Sequence, residues 1–104
     1  MKTFNDFASL CKTIADNLHI MVEVKDYSKY GFGQASFMTD VFGGTFVCLH
    51  FDMKTCQITN WFGCEDERRI NDIGFLSYFI KDEMKKMNNA RNIEEINDRI
   101  NEEN

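Results

Sequence analysis

The stretch from Gln34 to Gly63 constrains the fold of this chain more than any other. Short apolar runs broken by turn-forming residues predict three antiparallel strands joined as a meander. Such a sheet ordinarily has one apolar and one wet face. Here both faces carry bulky apolar residues, so the second must be covered by the chain itself or by a partner.

The turns set the expected register. Gly43-Gly44 reads as a two-residue hairpin, because glycine tolerates the positive φ that both positions need. That turn places Phe42 opposite Thr45, Met38 opposite Leu49 and Phe37 opposite His50. A loop over Asp52-Met53-Lys54-Thr55 then sets Phe51 against Cys56 and Leu49 against Ile58. Met38, Phe42, Val47, Leu49, Phe51, Cys56, Ile58 and Phe62 would form the core face. The other face would carry Phe37, Val41, Phe46, Cys48, His50, Gln57, Thr59 and Trp61, with Phe46 facing Trp61 as a cross-strand aromatic pair.

Upstream, Thr3 with Asp6 resembles a capping box, and Phe4, Phe7, Leu10, Cys11, Ile14 and Leu18 recur at helical spacing. Ile20, Val22 and Val24 alternate with Met21, Glu23 and Lys25, which predicts a first strand. Residues 26–33 (DYSKYGFG) read as a loop. Their Gly-x-Gly joins strand to strand and not strand to helix, which argues against phosphate binding.

Downstream, Glu65-Asp66-Glu67 suits the first turn of a helix running to about Asn88. Its main stripe is Ile70, Ile73, Leu76, Ile80, Met84 and Met87, while Phe75, Tyr78 and Phe79 lie off it. Ile93, Ile96 and Ile100 follow the Asn88-Asn89 pair. Either the chain breaks at the asparagines, or one long helix carries those isoleucines onto the Phe75/Tyr78/Phe79 side as a seam for a second copy.

The expected fold is α+β: an N-terminal helix, a four-stranded antiparallel meander sheet and a long C-terminal helix. Residues 1–88 make one domain, and residues 89–104 an acidic helical tail for dimerisation or docking.

Twelve basic residues stand against 17 acidic ones, a net charge of −5, which disfavours direct nucleic-acid binding and suits a basic protein partner. No apolar run reaches membrane-span length. Asp6 interrupts what would be a leader's apolar core, so a cytoplasmic protein is expected.

Cys11, Cys48, Cys56 and Cys64 include no C-x-x-C pair, so buried reduced thiols are expected in place of a zinc site. Cys48 and His50 share a strand face, but neither an oxyanion-hole motif nor a definite orienting acid accompanies them.

These readings converge on a non-catalytic acidic protein-binding module, without cofactor or metal. The narrower expectation is a small phage-type, anti-CRISPR-like inhibitor of a basic nucleic-acid-handling protein. Its contacts would be Phe37, Phe46, His50 and Trp61 on the sheet, with Glu94, Glu95 and Asp98 on the tail. Phe75, Tyr78, Phe79, Ile93, Ile96 and Ile100 would form a homodimer interface. The alternatives are a small acidic dimeric chaperone that holds an extended client segment, and a small enzyme using the Cys48/His50 face.

Overall fold

The computed structural model describes the backbone of residues 3–38, 44–61 and 70–103, and the side chains of these except residues 60, 61 and 90–103. Helix α1 (Phe4–Leu18) leads into strands β1 (Met21–Tyr27), β2 (Phe32–Met38), β3 (Thr45–Asp52) and β4 (Gln57–Trp61), and helix α2 (Ile73–Glu103) follows. The strands pair in sequence order as one four-stranded antiparallel sheet. This is the α+β architecture expected from the sequence.

Helix α1 begins where Thr3 Oγ1 accepts the Asp6 N–H at 3.1 Å, satisfying one donor that the first turn leaves over. It ends at His19, whose left-handed backbone (φ 55°) lets its N–H bond back to Ala15 and Asp16 carbonyls. The face of α1 bearing Phe7, Cys11, Ile14 and Ala15 is buried. Phe4 reaches β2, and its ring fills the space that a Cβ on Gly33 would occupy. Only glycine permits that approach.

A single apolar cluster joins α1 to the sheet and to α2: Phe7 and Cys11 meet Ala35, Phe37, Leu49 and Phe51, while Leu76 and Ile80 enter from α2. The rings of Phe7 and Phe51 stack at 5.1 Å, adding about 0.5–1.5 kcal/mol beyond their buried area. Both helices therefore lie on one face of the sheet.

The register of the β2–β3 hairpin differs from the expected one. Phe37 pairs with Val47 and not His50, Met38 with Thr45 and not Leu49, and Leu49 with Ala35. For Phe37 the pairing has moved three positions along β3, from His50 to Val47. An odd displacement exchanges faces, and Phe37 becomes a fully buried core residue. Phe46 falls at the irregularity between the Phe37 and Met38 pairings and is also buried, at 9% exposure. In the second hairpin Phe51 pairs with Ile58 and Asp52 with Gln57, so Ile58 stands opposite Phe51 in place of Cys56. That shift is even and preserves the faces. A second irregularity between His50 and Phe51 then sets the Trp61 backbone against Leu49, not against Phe46.

The expected helix start at Glu65-Asp66-Glu67 lies outside the described residues; Ile70 is helical, Asn71 and Asp72 make a turn, and α2 begins after it at Ile73. Asp72 Oδ1 accepts the Phe75 N–H at 3.1 Å, and the Asp72 carbonyl accepts the Leu76 N–H at 2.9 Å. Asp72 is therefore its cap, and Ile73 at the first turn is 54% exposed, not part of a buried stripe. Phe79, expected off the stripe, is 7% exposed and packs in the core. The helix runs through Asn88 and Asn89 without a break. Asp40, Val41, Phe42, Gly43, Phe62, Cys64, Glu65, Asp66, Glu67, Arg68 and Arg69 lie outside the described residues, as do the side chains of Trp61, Ile93, Glu94, Glu95, Ile96, Asp98 and Ile100.

Candidate functional site

Neither helix covers the opposite face of the sheet. By register it carries Met21, Glu23, Lys25 and Tyr27 of β1, Phe32, Gln34 and Ser36 of β2, and Cys48, His50 and Asp52 of β3. A row of rings crosses three strands there. Tyr27 stacks on Phe32 with centroids 5.1 Å apart, and Phe32 stacks on His50 at 5.0 Å. All three are half-buried, and Met21 at the sheet edge is 49% exposed.

The row is held by two loops at one end of the sheet. Asp26 Oδ1 accepts the Ser28 N–H at 2.7 Å, and Gly31 (φ 84°) closes the turn that brings Phe32 opposite Tyr27. Across the sheet, Asp52 Oδ1 accepts the N–H groups of Lys54 and Thr55 at 2.8 and 3.0 Å. These backbone donors hold the Asp52 carboxyl below its ordinary range. Cys56 (φ 58°) ends that turn, donating its N–H to the Asp52 carbonyl at 2.8 Å. The Met53 N–H bonds the Gly31 carbonyl at 3.0 Å and ties the two loops together.

Beside the rings runs a polar line. Gln34 Nε2 donates to Ser36 Oγ at 3.3 Å, and the Ser36 hydroxyl donates to Cys48 Sγ at 3.9 Å. Cys48 and His50 do share this face, as their spacing requires. The contacts differ, however: the thiol engages Ser36, whereas the imidazole lies against Phe32. Lys25 and Glu23 form an exposed ion pair at 3.2 Å that raises the lysine pKa.

Of the sheet residues expected to meet a partner, His50 is on the open face, while Phe37 and Phe46 belong to the core. The structure supplies Tyr27 and Phe32 in their stead. Their signal was present in the sequence: a Ser-Lys-Tyr-Gly turn ending in a left-handed glycine makes the flanking aromatics cross-strand neighbours. On α2, Tyr78 is 64% exposed and its ring lies 6.4 Å from Phe75.

Among the described residues no group of three or more His, Cys, Asp or Glu side chains is placed to hold a metal, and no helix is long and apolar enough to cross a membrane. The fold and this face define a two-layer α+β domain with one sheet surface left clear of its helices. Comparison of the chain with family models, curated proteins and solved structures found no match.

Proposed function

We propose that this chain is a non-catalytic protein-binding module that engages its partner through the helix-free face of the sheet. The observation that carries this reading is the half-buried Tyr27–Phe32–His50 row, fixed by two braced loops, with exposed Met21 on the same face at the far end of β1. Rigid aromatic side chains that lose little entropy on docking are what interface hot spots use. The net charge of −5 favours a basic partner. The specific reading is an anti-CRISPR-like inhibitor of phage type, blocking a basic nucleic-acid-handling protein by occupying its surface.

The test is inhibition of DNA cleavage by purified phage-defence nucleases, with binding measured in parallel. Wild-type chain should bind one of them and slow its cleavage, with affinity falling as salt rises. Phe32→Ala should weaken binding about tenfold or more, whereas Cys48→Ala should leave it unchanged. Binding that ignores Phe32→Ala and His50→Ala would remove the sheet face from the interface. Turnover lost in Cys48→Ala would mark an enzyme instead.

A further inference from the structure

The sheet has two edges, and the chain treats them differently. At the outer edge of β4 the Asn71 side-chain amide bonds the Ile58 backbone N–H and carbonyl. The outer edge of β1 has no such cover: among the described residues β1 pairs with β2 alone. Every second residue of β1 therefore points its backbone N–H and C=O away from the sheet, a template for one more strand.

The seven residues of β1, Met21-Val22-Glu23-Val24-Lys25-Asp26-Tyr27, complement their own reverse. Laid antiparallel about a two-fold axis at Val24, Glu23 falls opposite the second copy's Lys25, and Lys25 opposite its Glu23. Glu23 and Lys25 are exposed and already pair within the strand at 3.2 Å. The second copy turns that pair into a ring of four charges of alternating sign. A two-fold axis normal to the sheet keeps like faces together only when it passes through a residue. Moved to Glu23 it sets Glu23 against itself, and moved to Lys25 it sets Lys25 against itself. Val24 is the position that uses the whole strand and puts no like charges opposite.

The helix side of β1 permits the approach. Its one charge, Asp26, is folded onto its own turn, where Oδ1 accepts the Ser28 N–H at 2.7 Å. Helix α1 packs against β1 and β2, and α2 against β3. Asn17 of α1 faces α2, so at ~100° per residue the flank turned toward the free edge carries Ala8 and Ala15. Small side chains there let two copies of α1 lie alongside.

We infer that two copies of the chain join edge to edge through β1, antiparallel about Val24, into one sheet of eight strands, four from each copy. The contact is isologous and closes at two copies. On the open face it sets the second copy's Met21 beside Tyr27, so the Tyr27–Phe32–His50 row runs on across the axis.

Sedimentation equilibrium of the full chain should show reversible association from the monomer mass of 12.2 kDa to twice that mass. Glu23→Lys and Lys25→Glu each put like charges opposite at two places, and each should weaken association about tenfold or more while melting near the wild-type temperature. Mixed in equal amounts, or combined in one Glu23→Lys/Lys25→Glu chain, they should associate as tightly as wild type, because opposite charges face each other again. Hydrogen exchange should slow at alternate amides of β1 as concentration rises, which contact through side chains alone would not produce. A wild type that is monomeric at submillimolar concentration overturns the proposal, as do single variants that associate like wild type. A mixture that fails to associate, or β1 exchange that ignores concentration, overturns it equally. Phe32→Ala, which weakens partner binding on the sheet-face reading, should leave association unchanged, so the two readings stand or fall separately.

Discussion

Asn71 closes an edge of the sheet with one side chain. Its Oδ1 accepts the Ile58 N–H at 2.8 Å and its Nδ2 donates to the Ile58 carbonyl at 3.2 Å, so the amide copies the backbone of a neighbouring strand. An edge strand otherwise leaves such groups unpaired. Asn71→Ala should therefore cost about 1–3 kcal/mol, read as a lower urea midpoint with an unchanged slope. Nothing in the sequence announces this bond, because Asn71 and Ile58 meet only once the fold has formed. The Thr3 cap was legible because donor and acceptor are local in sequence. Cys11 makes a second residue-scale prediction. Burial among apolar groups pushes its thiol up from 9.0 to about 12. Between those values the folded chain keeps a proton that the unfolded chain has released, so stability falls as pH rises above about 9. The wild-type decline should exceed that of Cys11→Ala by up to ~1.4 kcal/mol per pH unit, measured by urea unfolding across that range. Cys11 should also resist alkylation until the chain unfolds.

At the scale of elements, apolar periodicity is enough to place both helices and the strands, because burial of one face is written along each segment. Register is not written that way. The Gly43-Gly44 pair implied a tight hairpin, and irregularities at Phe37/Met38 and His50/Phe51 each displace the pairing in ways that leave no sequence mark. One odd displacement sufficed to send Phe37 into the core and to leave Tyr27 and Phe32 as the open-face aromatics. The turn at Asn71 and Asp72 was missed for a related reason: apolar spacing runs on from Ile70 to Ile73, whereas the new helix start is made by a specific bond from the Phe75 N–H to the Asp72 side chain. Asp72→Ala should cost about 0.5–2 kcal/mol, seen in thermal melts. Gly33→Ala should cost about 1–3 kcal/mol, because the new methyl and the Phe4 ring claim the same volume. A Phe4→Leu change made with it should recover part of the loss, a double-mutant signature of that one contact.

The whole molecule divides its work along its length. A compact chain of this size has a radius of gyration of roughly 13 Å, whereas this one reaches 15.9 Å because α2 extends past the sheet. The described core residues run from Phe7 to Ile80, with Met84 and Met87 packed at their margin. A chain ending at Asn89 therefore keeps every described core contact and should unfold in one cooperative transition near the wild-type midpoint. It should also keep the Tyr27–Phe32–His50 row and bind the sheet-face partner with unchanged affinity. If the repeat of Ile93, Ile96 and Ile100 carries self-association, light scattering should find the full chain dimeric and the truncated chain monomeric. A truncated chain that stays dimeric would move the self-association surface to the sheet, where pairing along the β1 edge requires it. An edge and a face are separate surfaces: partner binding and dimerisation then proceed together, and the bound complex contains two copies of each component.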